Sequence, residues 1–118
     1  MGALPPALSR EVLLAFWKVH ILHHAEREPV YGQWMLEELR RHGYVLSPGT
    51  LYPLLARLER HGWLRALPGP RRTLRHRRNY RLTPAGRRVL ELLRAQVAEL
   101  YGEVVRESPP SRRRARRG

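Results

Sequence analysis

The sequence predicts a mainly α-helical chain with a small β-hairpin wing, which is a winged helix-turn-helix followed by one further long helix. Three segments with apolar residues at helical spacing come first, two short segments with alternating apolar residues follow, and a helix with a heptad pattern comes last. The second and third helices are joined by only a few residues, as a helix-turn-helix requires. We expect an N-terminal arm at 1–8, a winged helix-turn-helix at 9–82, a dimerisation helix at 83–107 and a disordered basic tail at 108–118.

The charge of the chain indicates a polyanionic partner. The 118 residues include 23 Lys and Arg against 10 Asp and Glu, which gives a formal net charge of +13. A GC-rich genome would also enrich arginine, but it would not explain why the charge is clustered. We favour double-stranded DNA as this partner over an anionic membrane surface. No apolar run reaches the length of a membrane span. The N-terminus also lacks the pattern of a signal peptide, so we expect a cytoplasmic, nucleoid-associated protein.

The composition excludes several kinds of catalytic site. The chain contains neither cysteine nor aspartate, which excludes disulfides, thiol chemistry and a Ser-His-Asp triad. It has no glycine-rich phosphate loop, and its serines lie at predicted helix caps or in the tail. We therefore expect no enzymatic activity and no cofactor.

The first helix is predicted at 10–26, with Ser9 as its N-cap. Its apolar residues lie on nearly all sides of the helix. A helix with that pattern is buried on more than one side. We therefore expect one side to face the core and another to face a partner chain.

The second helix is predicted at 31–42, and Gly43 fits its C-terminal cap. Its inner stripe consists of Tyr31, Met35, Leu36 and Leu39. Trp34 falls off this stripe, so we expect it to be exposed in a monomer and to pack against a dimer helix or line an aromatic pocket.

The third helix begins where Ser47 is followed by Pro48, an N-cap and first-turn pair typical of a helix start. Its apolar stripe has the spacing i, i+3, i+4, i+7 and consists of Leu51, Leu54, Leu55 and Leu58. The opposite face has little bulk in its first two turns and carries Gly49, Pro53, Ala56 and Arg60, flanked by Thr50, Tyr52 and Arg57. Such a face can approach DNA closely, which makes this the recognition helix. Alternatively, Gly49 and Pro53 only shape the helix start.

Two short strands are predicted at 63–67 and 77–82, and they form the wing. The loop and the start of the second strand carry the densest cationic cluster of the predicted fold: Arg71, Arg72, Arg75, His76, Arg77 and Arg78. Wing arginines can contact phosphates or enter the minor groove. The alternative is a solvated charge run.

The last helix opens at Thr83-Pro84 and runs to about Arg106. It carries a heptad seam of Leu90, Leu93, Val97, Leu100 and Val104. Together with Leu14, Trp17 and Trp34 of the earlier helices, these residues form the surface that we expect to hold the dimer and an effector.

Three histidines of the first helix, His20, His23 and His24, stand at the spacing i, i+3, i+4. Imidazoles at that spacing can share a metal ion. Histidines on one helix are more often interface or surface residues, so we predict no metal ligand. Whether these three histidines bind a metal ion stays open from the sequence.

Several uncommon elements occur in order along the chain, and together they resemble the PadR family of bacterial transcriptional regulators. The elements are Tyr31-Gly32, the run Ser47 to Pro53, the run Arg57 to Leu64 and the run Tyr80 to Gly86. The resemblance covers about residues 11–105. Since only one long helix follows the wing, the chain is similar to the subgroup with a short C-terminal helix. It departs from the family pattern in the His-Ile-Leu-His-His run and in the arginine-rich tail.

The resemblance implies a homodimeric repressor that binds a palindromic operator and is released by a small-molecule effector. By position, Tyr31, Ser47, Gly49, Thr50, Tyr52 and Arg57 match the DNA-contacting region of the family. With the residues added from the helix face and the wing, the expected DNA-binding set is Tyr31, Ser47, Gly49, Thr50, Tyr52, Pro53, Arg57, Arg60, Arg71, Arg72, Arg75 and Arg77. The alternative function is a nonspecific architectural DNA-binding protein.

Overall fold

The fold is known from a computed structural model, which describes residues 5–68 and 78–106 apart from the side chains of residues 6–9. Its elements are α1 (Pro6–Arg27), β1 (Val30–Tyr31), α2 (Gly32–Arg41), α3 (Pro48–Arg60), β2 (Leu64–Ala66), β3 (Asn79–Leu82), α4 (Pro84–Tyr101) and a π-helical turn (Gly102–Arg106). The mainly helical fold class with a small antiparallel sheet is confirmed. The wing arginines Arg71, Arg72, Arg75 and Arg77 and the tail at 108–118 lie outside the described residues.

Helix α1 begins earlier than the sequence indicated. Its N-cap is Pro5 and its first residue is Pro6, so the expected cap at Ser9 is wrong and Ser9 lies inside the helix. Proline is favoured at the first helical position, because its fixed φ is already helical and its missing N–H has no partner there. Residues 6–8, which the sequence assigned to an N-terminal arm, therefore belong to α1.

The sheet has three strands in the order β1-β3-β2, all antiparallel. Strand β1 was not predicted, and it pairs Val30 with Tyr80 and Tyr31 with Asn79. Two residues are too few to show an alternating pattern. Tyr31 is therefore not part of the inner stripe of α2, as the sequence indicated, but an exposed strand residue that also serves as the N-cap of that helix.

Helices α2 and α3 end in the same way, at a His-Gly pair. Gly43 and Gly62 have φ values of 93° and 82°, in the left-handed region that favours glycine. The next residue closes the turn in each case, because Tyr44 N donates to Leu39 O and Trp63 N donates to Leu58 O, both at 3.1 Å. These closures fix where the chain leaves each helix of the helix-turn-helix.

The core lies where α1, α2 and α3 meet the sheet and the start of α4. Its fully buried side chains are Trp17, Ile21, Leu22, Val30, Met35, Leu39, Leu51, Leu54, Leu55, Leu58, Leu64 and Leu90. Trp17 is only 1% exposed and Leu90 is 0% exposed. Because both side chains are packed inside the subunit, neither lies at a dimer surface, and whether they contribute to an effector site stays a prediction.

Helix α4 is anchored at its first turn to the end of α3. The Thr83 hydroxyl accepts a hydrogen bond from Gly86 N at 2.9 Å and donates one to Gly62 O at 2.5 Å. A Cβ at Gly86 would overlap the carbonyl oxygen of Trp63. The Thr-Pro-x-Gly sequence thus combines an N-cap with a close backbone contact that only glycine permits.

Ion pairs join α1 to α4 further along. Glu26 accepts hydrogen bonds from Arg94 at 2.9 Å and from Arg87 at 3.0 Å. The hydrogen bond from Arg94 is the main cause that lowers the pKa of Glu26 below its ordinary value. Among the residues that the structure describes, no helix is long and apolar enough to cross a membrane.

Candidate nucleic-acid interface

The face of α3 opposite its leucines is exposed, as the helical spacing predicts. Gly49, Pro53, Arg57 and Arg60 are exposed, and Ser47 is exposed at the N-cap. Thr50, Tyr52 and Ala56 are half-buried beside them. This face combines low bulk in the first turns with two cationic side chains in the last turn.

Packing does not require a glycine at position 49. A Cβ built there would meet only the Ser47 Oγ, at 3.6 Å, which is ordinary van der Waals contact. Pro53 stands inside the helix, where it removes one backbone hydrogen bond. Since neither residue improves the folded helix, their exposed positions suit a surface that a partner approaches closely.

Tyr52 has a structural contact that the sequence did not reveal. Its ring lies against α2, and a Cβ at Gly32 would come within 2.5 Å of Tyr52 Cε1. The side chain therefore fills the space between the first residue of α2 and the first turns of α3. It positions α3 against α2, and only part of the ring remains at the surface.

Ser47 begins α3 through its backbone. Its carbonyl oxygen accepts hydrogen bonds from Thr50 N and Leu51 N, both at 3.0 Å. Its hydroxyl makes no capping hydrogen bond in the described part of the chain. A hydroxyl and backbone N–H groups are therefore exposed at the positive end of the helix, where an anion is favoured.

Sequence reasoning missed two arginines on the wing strands. Arg65 of β2 and Arg81 of β3 are direct cross-strand partners, and both are exposed. Like charges in that position destabilise an antiparallel pair. The signal was present, because the alternation of Tyr80 and Leu82 with Arg81 places Arg81 on the outer face of its strand. The cross-strand pairing itself could only come from the structure.

A second surface lies on α1 and α4 and is apolar. Val97 is 49% exposed, and residues of similar exposure on α1, α4 and the π-helical turn are Val12, Phe16, Leu100, Tyr101, Val104 and Val105. Leu14, Trp34 and Leu93 are half-buried and pack against the core. The full exposure expected for Trp34 is therefore wrong, because its ring packs edge-on against His24 at a centroid distance of 5.3 Å.

A cavity of about 440 Å³ opens between α1 and α4. It is lined by Val19, His20, His23, Leu90, Arg94, Val97, Ala98 and Tyr101. Leu90 and Val97 thus belong to this cavity, whereas Leu14, Trp17 and Trp34 do not line it. Its walls are mainly apolar, and His20, His23 and Arg94 supply the polar groups.

The fold and the exposed face of α3 together define a class of protein. A strongly basic chain whose short helix-turn-helix exposes the second of its two helices, beside a wing, is a winged-helix DNA-binding regulator. The chain belongs to the PadR-like family of transcriptional regulators, because the model of that family matches residues 21–92. The family consists of regulators and not enzymes, which confirms both the resemblance and the expectation that the chain is no enzyme.

Individual relatives support the same assignment. The transcriptional regulator Rv3488 of Mycobacterium tuberculosis is 49% identical over 100 residues, which cover 81% of this chain and 89% of that protein. A PadR family regulator from Eggerthella lenta is 31% identical, with a TM-score of 0.69 and coverage of 88% and 93% of the two chains. A PadR-like regulator from Bacillus cereus is 25% identical, with a TM-score of 0.69 and coverage of 80% and 92%.

Proposed function

We propose that this regulator is a homodimeric repressor that binds a palindromic operator and leaves it when a small molecule binds between α1 and α4. The observation that carries the proposal is the exposed face of α3, where Gly49 and Pro53 leave room and Arg57 and Arg60 supply charge. Arginine suits this task because its planar fork donates two hydrogen bonds to guanine or phosphate.

In this proposal α3 lies in the major groove and the wing contacts the backbone. Arg57 and Arg60 read bases or bind phosphates near the end of α3, and the exposed Ser47 anchors a phosphate at its start. Arg65 and Arg81 join the DNA-facing set, because β2 follows α3 after a short turn. Phosphate binding would relieve the repulsion between these two cations.

The dimer rests on the apolar surface of α1 and α4. Val97, Leu100 and Val104 keep the heptad spacing beyond the core, and each is about half exposed in the subunit. A second copy related by a two-fold axis would cover them, since a self-complementary patch pairs with itself. Two recognition helices would then contact half-sites about 34 Å apart, one turn of B-DNA.

The cavity between α1 and α4 is the proposed effector site. Apolar walls with a few polar groups favour an aromatic compound. Because Val97 belongs both to this cavity and to the proposed dimer surface, an occupant would alter the packing of the two subunits. A change of that kind shifts the spacing of the recognition helices and lowers operator affinity.

Selection of genomic DNA fragments on the purified protein, followed by sequencing, tests the proposal. We expect an enriched motif with two-fold symmetry whose half-site centres lie about 10 base pairs apart. Added to a transcription reaction from such a promoter, the protein should lower the yield of transcript. A symmetric motif together with an unchanged or raised yield of transcript would support operator binding but overturn the repressor role.

The second candidate function is a nonspecific architectural DNA-binding protein, which the net charge of +13 favours. Charge alone supplies salt-dependent affinity without sequence preference. In the same selection this function predicts fragments without a shared motif. Fragments without a shared motif would contradict operator binding and support the architectural function.

A further inference from the structure

We propose that His20, His24 and His42 form a binding site for one divalent transition-metal ion of the Zn²⁺ class. Each residue offers one ring nitrogen, and the three nitrogens lie within 4.8 Å of one another. Neutral imidazoles are preferred ligands of Zn²⁺, Ni²⁺ and Cu²⁺. The proposal does not depend on DNA binding, on a dimer or on an effector.

The site is built from two helices. His20 and His24 stand one turn apart on α1, and their rings are stacked with centroids 6.4 Å apart. His42 is the C-cap of α2, and its ring centroid lies 5.1 Å from that of His20. The tertiary structure therefore adds a third histidine from a separate helix to the pair on α1.

This group differs from the three histidines that stand together in the sequence. The ring of His23 points towards α4, where Arg94 Nη2 donates to His23 Nδ1 at 3.1 Å. His42 replaces it in the cluster. Two histidines one turn apart and a third from another helix can surround an ion more readily than three histidines on the same helix.

The three ring nitrogens must move closer together to bind one ion. Zn–N bonds of about 2.0–2.1 Å place the nitrogens of a tetrahedral site about 3.4 Å apart. The His42 side chain is 47% exposed and stands at the end of its helix, so it can move towards the half-buried pair on α1. A fourth ligand position is left for water or a carboxylate.

The surroundings suit a cation. Glu38 Oε2 lies 3.1 Å from His42 Nε2 and 3.6 Å from His24 Nε2, so one buried carboxylate adjoins two of the three rings. Carboxylates in that position commonly orient metal-binding histidines, and the negative charge would offset that of the ion. Tyr44 OH lies 3.2 Å from His20 Nε2 on the other side.

The protonation state of His20 and His24 also favours metal binding. Burial is the main cause that lowers the pKa of His20 and of His24 below the ordinary 6.5, and the neighbouring histidines act in the same direction. Glu38 opposes the shift at both rings. The two imidazoles are therefore neutral at pH 7, as a metal ion requires.

Calorimetric titration of the chain, without a histidine tag, tests the proposal with Zn²⁺ as the probe. We expect one Zn²⁺ per chain, and at least about tenfold weaker binding after His42→Ala, the usual order for loss of a metal-binding group. The matched control is His61→Ala, because His61 is also an exposed histidine at the C-cap of a helix. Equal affinity in both variants, or no saturable binding to the wild type, would overturn the proposal.

Two further readouts separate a built site from adventitious binding. Co²⁺ should give the intense visible absorption of a tetrahedral complex with the wild type and His61→Ala, but not with His42→Ala. Zn²⁺ should raise the thermal unfolding midpoint of the same two proteins, and Mg²⁺ should not, because Mg²⁺ prefers oxygen ligands. Weak octahedral Co²⁺ spectra in all three proteins would contradict the three-histidine site.

Discussion

The ring of Tyr52 lies against the backbone of Gly32, so the first turns of α3 are fixed to the first residue of α2. A Cβ at Gly32 would come within 2.5 Å of Tyr52 Cε1, so any other residue there would have to displace the Tyr52 ring. Two separate sequence elements are thus the two sides of one contact: the Tyr-Gly pair at the start of α2 and the Ser-Pro-Gly-Thr-Leu-Tyr-Pro run at the start of α3. This contact sets the orientation of the proposed recognition helix.

Gly32→Ala and Gly49→Ala should therefore have opposite effects. The first displaces the Tyr52 ring, and we expect it to lower the free energy of unfolding by about 1–3 kcal/mol. The second meets only ordinary contact in the fold, so it should raise stability by about 0.4–1 kcal/mol through loss of chain entropy in the unfolded state. Urea unfolding of both variants measures these changes.

The same two variants separate packing from DNA contact. We expect Gly49→Ala to weaken operator binding by about tenfold, the order of one lost base contact, because in the proposed complex its methyl group would face the DNA. A stable Gly49→Ala variant with unchanged operator affinity would mean that the glycine only shapes the helix start.

Because Arg65 and Arg81 are cross-strand partners of like charge, replacing either one should stabilise the fold and weaken DNA binding. Arg65→Thr or Arg81→Thr should each raise the free energy of unfolding by about 0.2–1 kcal/mol, since either change removes the repulsion. Each should also weaken DNA binding and reduce its salt dependence by about one counterion. In a double-mutant cycle, the second substitution should stabilise less than the first. Additive effects on stability would show that the two charges do not interact.

The proposed dimer surface predicts a change in assembly. Val97→Glu places a charge on the exposed apolar part of α4, and light scattering should then give the mass of a monomer with unchanged helical content. Ala95→Glu is the matched control, because Ala95 is exposed and lies about 200° around the helix from Val97. An unchanged dimer mass for Val97→Glu would place the interface elsewhere.

The histidine cluster predicts acid sensitivity in the metal-free protein. The folded-state pKa values of His20 and His24 are lowered below 6.5, so above that pH both rings are neutral in both states. As the pH falls below it, the unfolded chain binds protons that the folded chain does not. The free energy of unfolding should therefore decrease as the pH falls below about 6.5, and the contribution is fully lost once the pH is below the folded-state pKa values.

His20→Gln should flatten that decrease, measured by urea unfolding in the presence of a chelator. The opposing charge of Glu38 and the neighbouring His23, His24 and His42 remain in this variant, so part of the slope should persist. His61→Gln, at an exposed position, is the control and should keep the full slope. A wild-type slope in His20→Gln would show that this ring does not contribute.

Features set by neighbours in the chain could be predicted from the sequence. Ser47 and Thr83 were expected as N-caps before proline, and both are, because a cap depends on residues within one turn. The exposed face of α3 followed from helical spacing in the same way. The predicted start of α1 after Ser9 is wrong, because the helix begins at Pro6, where proline is favoured at the first helical position.

Features set by contacts between distant residues could not be predicted. The pairing of Arg65 with Arg81 depends on strand register, and His42 joins His20 only through the packing of α2 against α1. Trp17 was placed at a partner surface because α1 is apolar on nearly all sides, and the sequence does not say which apolar side faces the core. The Tyr52 contact with Gly32 is of the same kind.

The central claim is that the exposed face of α3 reads a specific operator. Competition binding at physiological salt, between a selected palindrome and random DNA, tests it most directly in the wild type and in Arg57→Ala. We predict a preference of at least about 10³-fold for the palindrome, and a smaller preference after Arg57→Ala because specific binding falls more than random binding. Equal affinity of the wild type for both DNAs would contradict the claim.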